Sequence, residues 1–397
     1  MTMVNAAYGQ LPPAFFFTRL NDTVAAYELA HPDKGLLRLG VGDVTGPLSP
    51  VVIEALHRAV GEQSRAETFH GYLPETGTDF MKAAVVSYYG RRGVALSPEE
   101  VFVSSGAADD LGAIGNLFSD RARVLVAEPA YPAYADTSRM AGREVLPLLG
   151  TRENGFLPLP GEDLDADLVY LCSPNNPTGT AYTKSQLQRW VDWANERQAV
   201  IVFDAAYEAF VQDGEVPHSI YELPGAETCA IEICSLSKTA GFTGMRLGYT
   251  VVPKALVREG CSLHDMWTQD RTTRTNGVSY VIQRAGEAAL SPAGLRFSRE
   301  AIAVYQENGR ILSDALKEAG IWFTGGRNAP YLWLPCPQGM TGWAFFEFLL
   351  REAQIVVTPG EGFGEGGAGH VRLSCFGSPA DTAEAAQRLL TILKNGI

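Results

Sequence analysis

Short apolar segments alternate with longer amphipathic segments over more than half of the chain. Residues 101–104, 124–127, 168–172 and 199–203 are hydrophobic at almost every position. Such continuity indicates strands that are buried on both faces, whereas alternation of polar and apolar residues would indicate one exposed face. The pattern therefore predicts an α/β fold in which a mostly parallel sheet carries helices on both faces.

Two helix starts can be identified from their capping residues. Ser49 precedes a first-turn proline, and Thr183 precedes Gln186 at the spacing of a capping box. The second of these helices is predicted to continue to about Glu196. Further strands are predicted over residues 36–39 and 230–234.

The C-terminal pattern is different. It predicts a long helix after residue 290, a strand over 331–334, a helix over 343–352, a strand over 355–358 and a closing helix from Asp381. This order is typical of a smaller α+β domain. We therefore predict a large domain over residues 46–288 and a small domain over 289–397, with residues 1–45 forming an N-terminal arm and part of the small domain.

Composition narrows the class of protein. The 397 residues include 45 acidic side chains against 32 Lys and Arg, a net charge of −13, without a dense basic cluster. Nucleic acid is therefore not an expected partner, because phosphate backbones bind cationic surfaces. The apolar runs are too short to span a bilayer, and the first residues lack the features of a secretory signal. The six cysteines and six histidines are scattered, which predicts reduced thiols and no metal site in a soluble, cytoplasmic protein.

Polar motifs follow two of the predicted strands. Residues 173–179 (SPNNPTG) follow the strand over 168–172, and their prolines and glycine would hold Asn176 in a rigid turn. Asp204 ends the next strand, with Tyr207 three residues later. Read separately, the first motif is also typical of an ordinary loop and Asp204 of a helix cap. Both lie at the carboxyl ends of strands, where open α/β sheets bind their ligands.

A lysine follows the strand predicted over residues 230–234. Lys238 precedes a glycine-rich loop that ends in Arg246. Alone it could be a solvated surface charge, but burial would lower its pKa and make its amine a nucleophile for a carbonyl. Ser235, Ser237 and Arg246 would suit a dianionic phosphate, and so would a helix N-terminus at residues 105–108.

These parts have one economical explanation. A lysine amine, a carboxylate for a pyridinium nitrogen, a phenol and an amide for a ring hydroxyl, and a phosphate site are what pyridoxal phosphate (PLP) requires. The sequence therefore predicts a PLP-dependent enzyme.

A family resemblance supports this interpretation. The motifs SPNNPTG, FDAAY, SLSKTAGFTGMRLG and HVRLSCFG occur in this order and resemble the fold type I aminotransferases. Nearly the whole chain resembles the LL-diaminopimelate aminotransferase family, through VNAAYGQLPPAFFF, RLGVGDVTGPL, GYLPETG, EPAYPAY, NAPYLW and TPGEGFGEGGAGHVRLS. The resemblance implies the fold type I architecture, a PLP cofactor, transfer of the α-amino group of an amino acid, and a homodimer with shared active sites.

The resemblance also implies roles for individual residues. Lys238 would carry the Schiff base of the cofactor, Asp204 would contact its pyridinium nitrogen, and Tyr131 would stack on its ring. The other residues implied to bind the cofactor are Ala107, Ala108, Asn176, Tyr207, Ser235, Ser237, Arg246, Tyr72 and Asn276. The residues implied to bind substrate are Arg372, which would pair with the α-carboxylate, together with Gly42, Phe15, Asn176 and Glu75. Those implied to reach in from the second subunit are Tyr72, Glu75 and Asn276.

Three positions depart from the family pattern, all on the substrate side. The SDGAK motif of the family ends in a substrate-contacting lysine where this chain has Ala108, and the tyrosine of its GYLF motif is Phe15 here. The family's YGPE is Tyr72-Leu-Pro-Glu75, with leucine in place of a glycine. These losses predict an altered substrate, because a distal carboxylate would leave water without regaining its partners. The alternative is that other residues compensate for these three changes and that the substrate is unchanged.

Two further alternatives concern the reaction. Residues 360–364 (GEGFG) resemble part of a dinucleotide-binding fingerprint, but no helix is predicted after them, which argues against an oxidoreductase. Once Lys238 has removed the Cα proton, however, the carbanion could eliminate or replace a β- or γ-substituent, or cyclise, instead of completing a transamination. The sequence leaves that alternative open.

Overall fold

The computed structural model describes residues 3–11 and 16–395. The strands are β1 (Leu37–Arg38), β2 (Val101–Ser104), β3 (Val124–Glu128), β4 (Val145–Leu149), β5 (Leu168–Cys172), β6 (Val200–Asp204), β7 (Ala230–Ser235), β8 (Gly248–Val251), β9 (Val257–Arg258), β10 (Cys261–Ser262), β11 (Thr324–Gly325), β12 (Tyr331–Pro335), β13 (Ile355–Val356), β14 (Thr358–Pro359) and β15 (His370–Ser374). The α-helices are α1 (Phe16–Ala30), α2 (Pro50–Glu62), α3 (Asp79–Gly90), α4 (Ala107–Ile114), α5 (Ala133–Met140), α6 (Lys184–Arg197), α7 (Leu236–Thr239), α8 (Leu263–Arg274), α9 (Tyr280–Leu290), α10 (Pro292–Glu318), α11 (Gly342–Glu352) and α12 (Pro379–Asn395).

A seven-stranded sheet forms the centre of the fold, in the order β2-β8-β7-β6-β5-β3-β4. The strands from β7 to β4 are parallel neighbours, and β8 runs against both β2 and β7. Successive residues of β5 enter different apolar cores, Val169 and Leu171 one core, Leu168 and Tyr170 the other. Both faces of the sheet are therefore buried, and the predicted α/β fold with a mostly parallel sheet is confirmed.

A second, four-stranded sheet has the order β11-β12-β15-β14, and its strands pair antiparallel. A third apolar core covers it, formed by Leu332 and Leu373 with residues of α10, α11 and α12. The N-terminal strand joins these C-terminal elements, because Leu37 of β1 pairs in parallel with Ile355 of β13.

Most of the strands and helices predicted from the sequence are present. β2 and β5 have the predicted bounds, and the capping box at Thr183 begins α6. α2 begins at Pro50 as expected, but the side chain of Ser49 makes no capping hydrogen bond. The single strand predicted over residues 355–358 is wrong, because β13 and β14 are separate strands of different sheets.

The helices and cysteines agree with a protein that has a packed core. No helix within residues 3–11 and 16–395 has the length and apolar character needed to cross a bilayer. The six cysteines are free thiols, of which four are buried and Cys261 is exposed.

Candidate active site

A cavity of about 290 Å³ lies where β5, β6 and β7 end. Asn176 follows β5, Asp204 ends β6 and Lys238 follows β7, so the parallel strands bring three separate motifs together. The predicted site residues that line the cavity are Gly42, Ala107, Ala108, Tyr131, Asn176, Asp204, Tyr207, Ser235, Ser237, Lys238, Arg246 and Arg372.

Lys238 lies on α7, a single helical turn that begins directly after β7. Its amine donates a short hydrogen bond to the backbone carbonyl of Gly42. Burial lowers the pKa of Lys238 to about 8, and the positive charges of Arg372 and Arg246 act in the same direction. A lysine with this pKa supplies a neutral amine at mildly alkaline pH, and that is the form that attacks a carbonyl carbon.

Asp204 is the last residue of β6 and only 6% of its surface is exposed. One carboxylate oxygen accepts a hydrogen bond from the Tyr134 hydroxyl at 2.6 Å, and the other accepts one from the Ala206 backbone N–H at 2.9 Å. Burial raises the pKa of Asp204, and these two hydrogen bonds oppose the rise. Both donors are neutral, so this carboxylate lines the cavity without a cation from the described residues.

The other side of the cavity is suited to an anion. α4 begins at Ala107, and the preceding Gly106 has φ of 115°. A Cβ on Gly106 would lie 2.5 Å from Nη2 of Arg246, so glycine lets this guanidinium approach the helix start. Arg246 also donates to the Ser237 hydroxyl at 3.3 Å, and the Ser237 N–H donates to the Ser235 hydroxyl at 3.1 Å. Helix N–H groups, a guanidinium and two hydroxyls therefore surround one space.

Arg372 is 2% exposed, and its contacts are with neutral groups. It donates to the side-chain oxygen of Asn176 at 2.5 Å and to the backbone carbonyl of Gly40 at 2.8 Å. Its guanidinium carbon lies 4.4 Å from the centre of the Tyr331 ring. Burial lowers the pKa of Arg372, and Nε has no hydrogen-bond partner among the described residues. This buried cation is therefore suited to an incoming carboxylate.

A pair of phenols lies between the two sheets. The hydroxyls of Tyr207 and Tyr331 are 2.9 Å apart, and burial raises the pKa of Tyr207 well above its usual value. Gly179 ends the SPNNPTG loop with φ of 65°, and a Cβ there would collide with the Tyr331 carbonyl. Glycine at this position lets the loop that carries Asn176 pack directly against β12.

Three predicted site residues lie outside the cavity lining. Tyr72 is 90% exposed, Asn276 is exposed and Glu75 is half-buried. They belong to adjoining segments, because a Cβ on Gly277 would lie 2.8 Å from the carbonyl oxygen of Pro74. In a single chain, these residues thus lie outside their own cavity and can contact another molecule.

The prediction for Phe15 lies outside the described residues. Phe17, two positions later, lines the cavity and packs edge-on against Phe363 at 6.0 Å between ring centres. This part of the wall is aromatic.

Two tyrosines that line the cavity were missed from the sequence. Tyr134 lies in the first turn of α5, three positions after Tyr131, which precedes the helix, and no local pattern in the sequence indicates its contact with Asp204. Tyr331 begins β12 in the antiparallel sheet, where the rule that ligands bind at the carboxyl ends of parallel strands does not apply.

The sequence of this chain places it among known enzymes. Residues 34–389 match the family described as aminotransferase class I and II. The chain belongs to this family. It is an aminotransferase with the α/β architecture of the type I aminotransferases. Among the described residues, the aminotransferase has no group of His, Cys, Asp or Glu that could hold a metal ion.

Several aminotransferases resemble the chain over almost its full length. The LL-diaminopimelate aminotransferase of Lachnospira eligens is 48% identical, with 98% of this chain and 99% of that protein covered. The enzyme of the same name from Bacteroides fragilis is 45% identical over the same shares. The structure of L,L-diaminopimelate aminotransferase from Chlamydomonas reinhardtii superposes with a TM-score of 0.93 at 37% identity and covers 98% of both chains. These aminotransferase comparisons do not indicate the altered substrate predicted from Ala108 and Phe15.

Proposed function

We propose that the protein is a PLP-dependent aminotransferase that takes the α-amino group from LL-diaminopimelate and transfers it to an oxo acid such as 2-oxoglutarate. One observation carries the proposal. A single cavity is lined by the buried cation Arg372, the buried carboxylate Asp204 and the amine of Lys238, none of them in an ion pair with a described residue. An amino acid and PLP together supply the partners that these groups lack.

The chemistry of the lining residues fits PLP. The start of α4, Arg246 and the two serines suit its phosphate, and Asp204 suits its protonated ring nitrogen. Tyr207 and Asn176 can donate hydrogen bonds to its ring oxygen. When bound, PLP supplies an electrophilic carbon and a ring that accepts electrons as the Cα proton leaves. Lys238 would hold the cofactor between turnovers and move that proton.

Recognition of the substrate is divided between its two ends. The planar guanidinium of Arg372 can form two parallel hydrogen bonds with the α-carboxylate. For the distal end, support comes from the relatives named LL-diaminopimelate aminotransferases, which are 45 to 48% identical. Because Ala108 replaces the lysine of the family, the distal carboxylate would depend on other contacts.

We also propose that the protein is a homodimer with shared active sites. Large hydrophobic side chains are exposed close together in sequence, Phe69 at 63% and Tyr72 at 90%. Exposed aromatic side chains of this size are typical of a surface that another chain covers. In such a dimer, Tyr72, Glu75 and Asn276 would complete the cavity of the second protomer.

The proposed reaction can be tested with the purified protein, PLP, LL-diaminopimelate and 2-oxoglutarate. We expect glutamate to form with a kcat/KM of roughly 10⁴ M⁻¹s⁻¹ or better, which is ordinary for an enzyme. The Lys238→Ala variant should form none. A panel of other amino acids, each with and without the oxo acid, completes the experiment.

Two results would contradict the proposal in different ways. Transfer from another amino acid, with LL-diaminopimelate inert, would reject LL-diaminopimelate and favour the altered substrate predicted from Ala108 and Phe15. Consumption of many equivalents of amino acid per active site without any oxo acid would show that the carbanion is eliminated, replaced or cyclised, because transamination stops after one equivalent when no acceptor is present, and it would exclude transamination as the main reaction.

A further inference from the structure

Tyr134 contacts two residues on which PLP binding is proposed to depend. Its hydroxyl donates to the Asp204 carboxylate at 2.6 Å, and its ring meets that of Tyr131 edge-on, with 5.9 Å between ring centres. We propose that Tyr134 is a positioning residue that aims the Asp204 carboxylate at the ring nitrogen of the cofactor and keeps it negatively charged. This inference rests on the proposed PLP-dependent function.

Two hydrogen bonds, one to each oxygen, fix the plane of the Asp204 carboxylate. Oδ1 accepts from the Ala206 N–H and Oδ2 accepts from the Tyr134 hydroxyl. A carboxylate oxygen has two lone pairs, so each oxygen can still accept a further N–H. The arrangement leaves room for one protonated ring nitrogen and prevents rotation of the carboxylate away from it.

Tyr134 is itself held rigidly. It is 1% exposed, and its ring stacks on Tyr170 at 5.3 Å and an interplanar angle of 12°. On α5, the Ser138 hydroxyl donates to the backbone carbonyl of Tyr134 at 2.9 Å. With its ring against Tyr170 and Tyr131, Tyr134 directs its hydroxyl to the Asp204 carboxylate, and the neutral Cys172 thiol lies beside the same hydroxyl.

The hydrogen bond from Tyr134 also favours the charged form of Asp204. Burial raises the pKa of Asp204, and the Tyr134 hydroxyl is the first influence that lowers it. Burial raises the pKa of Tyr134 well above its usual value, so the phenol stays protonated and remains a donor. Cys172 and Tyr131, which face Asp204 from β5 and from the loop before α5, also have pKa values raised by burial and are neutral. Tyr134 is therefore the side chain in this group that stabilises the negative charge.

The experiment compares Tyr134→Phe with a matched control in wild-type and Asp204→Asn backgrounds. Tyr182→Phe is the control, because Tyr182 is 2% exposed and its hydroxyl also makes one buried hydrogen bond, to the Pro158 carbonyl at 2.8 Å. Two quantities are measured: the dissociation constant of PLP from the apoenzyme, by fluorescence, and the pH midpoint at which the visible absorption of the holoenzyme changes. Circular dichroism establishes that each variant is folded.

We expect Tyr134→Phe to raise the dissociation constant about tenfold, because a hydrogen bond to a charged group is lost. The visible absorption follows the proton on the nitrogen of the Schiff base between Lys238 and the cofactor. Its pH midpoint should rise by about one unit, because a ring nitrogen that is protonated less of the time withdraws fewer electrons and leaves the Schiff-base nitrogen more basic. Tyr182→Phe should leave both quantities at their wild-type values. In the Asp204→Asn background, Tyr134→Phe should change neither, because its effect passes through the carboxylate.

Two outcomes would overturn the role of Tyr134 alone. One is wild-type behaviour of Tyr134→Phe, and the other is an equal loss of PLP affinity in the Asp204→Asn background, which would show that Tyr134 only packs. Absence of any visible band when PLP is added to the wild-type protein would instead overturn the proposed function, and the role of Tyr134 with it.

Discussion

Buried ionisable side chains in this protein have two kinds of surroundings. Glu208, in the core, forms an ion pair with Arg92 at 2.7 Å, which offsets the desolvation of both groups. Asp204 and Arg372 are equally buried but hydrogen-bond only to neutral groups among the described residues. Asp204 and Arg372 both line the cavity, and since an unpaired buried charge is costly, a cavity that holds two such groups is typical of a site that awaits charged ligands.

The lowered pKa of Lys238 predicts how PLP capture depends on pH. Below about 8 the amine is protonated and cannot attack a carbonyl, and above that value it is neutral. The rate of PLP binding to the apoenzyme should therefore rise with pH, reach half of its maximum near pH 8 and become constant at higher pH. Stopped-flow absorbance measures this rate, and a rate that continues to rise to pH 10 would show that the lysine has its ordinary pKa of about 10.4.

Arg372→Lys tests recognition of the α-carboxylate. Lysine keeps the charge but loses the planar pair of donors, so we expect KM for the amino donor to rise by about 10- to 100-fold while the visible spectrum is unchanged. Steady-state kinetics provides KM. Arg351→Lys is the control, because Arg351 pairs with Glu347 on the exposed face of α11 and should tolerate the change. An unaltered KM in Arg372→Lys would mean that another cation binds the carboxylate.

The residues around the cavity differ in how readily their roles can be predicted from the sequence. Lys238, Asp204 and Asn176 follow apolar strands directly, so the sheet topology alone predicts that they meet. Tyr134 could not be predicted in this way. Its role depends on a hydrogen bond to Asp204, a residue 70 positions later in the sequence, and no local pattern encodes that contact. Ala108 is an exposed helix residue, and the sequence alone could not show what replaces the lost lysine.

At the scale of elements, the start of α4 depends on close backbone packing. Gly248 on β8 lies directly beneath it, and a Cβ there would be 2.9 Å from the backbone nitrogen of Ala107. Gly106, just before the helix, has a positive φ and no Cβ, so the guanidinium of Arg246 can lie against it. These two glycines bring a helix end, a strand and a guanidinium into one small volume.

Two glycines of this region should respond to alanine in opposite ways. Gly106→Ala places a Cβ against Arg246 at φ of 115°, so we expect at least a tenfold weaker affinity for PLP, corresponding to about 1.4 kcal/mol, and lower stability. Gly112→Ala, within α4, meets nothing within 4 Å and should stabilise the protein by about 0.5–1 kcal/mol. Urea unfolding and PLP titration measure both effects. Equal behaviour of the two variants would contradict the packing described for Gly106.

Some strands were not predicted from the sequence, and the physical reasons can be identified. β4 contains Pro147, which lowers its resemblance to a strand, and it is tolerated because β4 is the outermost strand of the sheet. β8 follows directly on the glycine-rich loop and inserts antiparallel between β2 and β7, a pairing that depends on the whole sheet. Longer parallel strands such as β5 were recognisable because burial on both faces makes them continuously apolar.

At the scale of the whole molecule, the exposed segments around Tyr72 and Asn276 favour an assembly of two chains. Mixing two inactive variants tests whether the sites are shared. Lys238→Ala removes the amine from its own cavity, and Asn276→Ala removes a group proposed to serve the neighbouring cavity. A mixed dimer then contains one cavity with both residues, so activity should reappear when the variants are refolded together.

Two controls complete that measurement. Each variant refolded alone should remain inactive, and analytical ultracentrifugation should show dimers throughout. Inactive mixtures that contain mixed dimers would show that each chain completes its own site.

Arg372 has no acidic partner within residues 3–11 and 16–395, and this affects which molecules the enzyme can use. A diamine formed by removing both carboxylates from the proposed substrate keeps the same amino groups and chain, yet it leaves the buried guanidinium with neutral contacts alone. Its own positive charges would meet another positive charge in a space of low polarity. Cellular polyamines would therefore be excluded from the site, so the enzyme could act on amino acids in their presence without being inhibited.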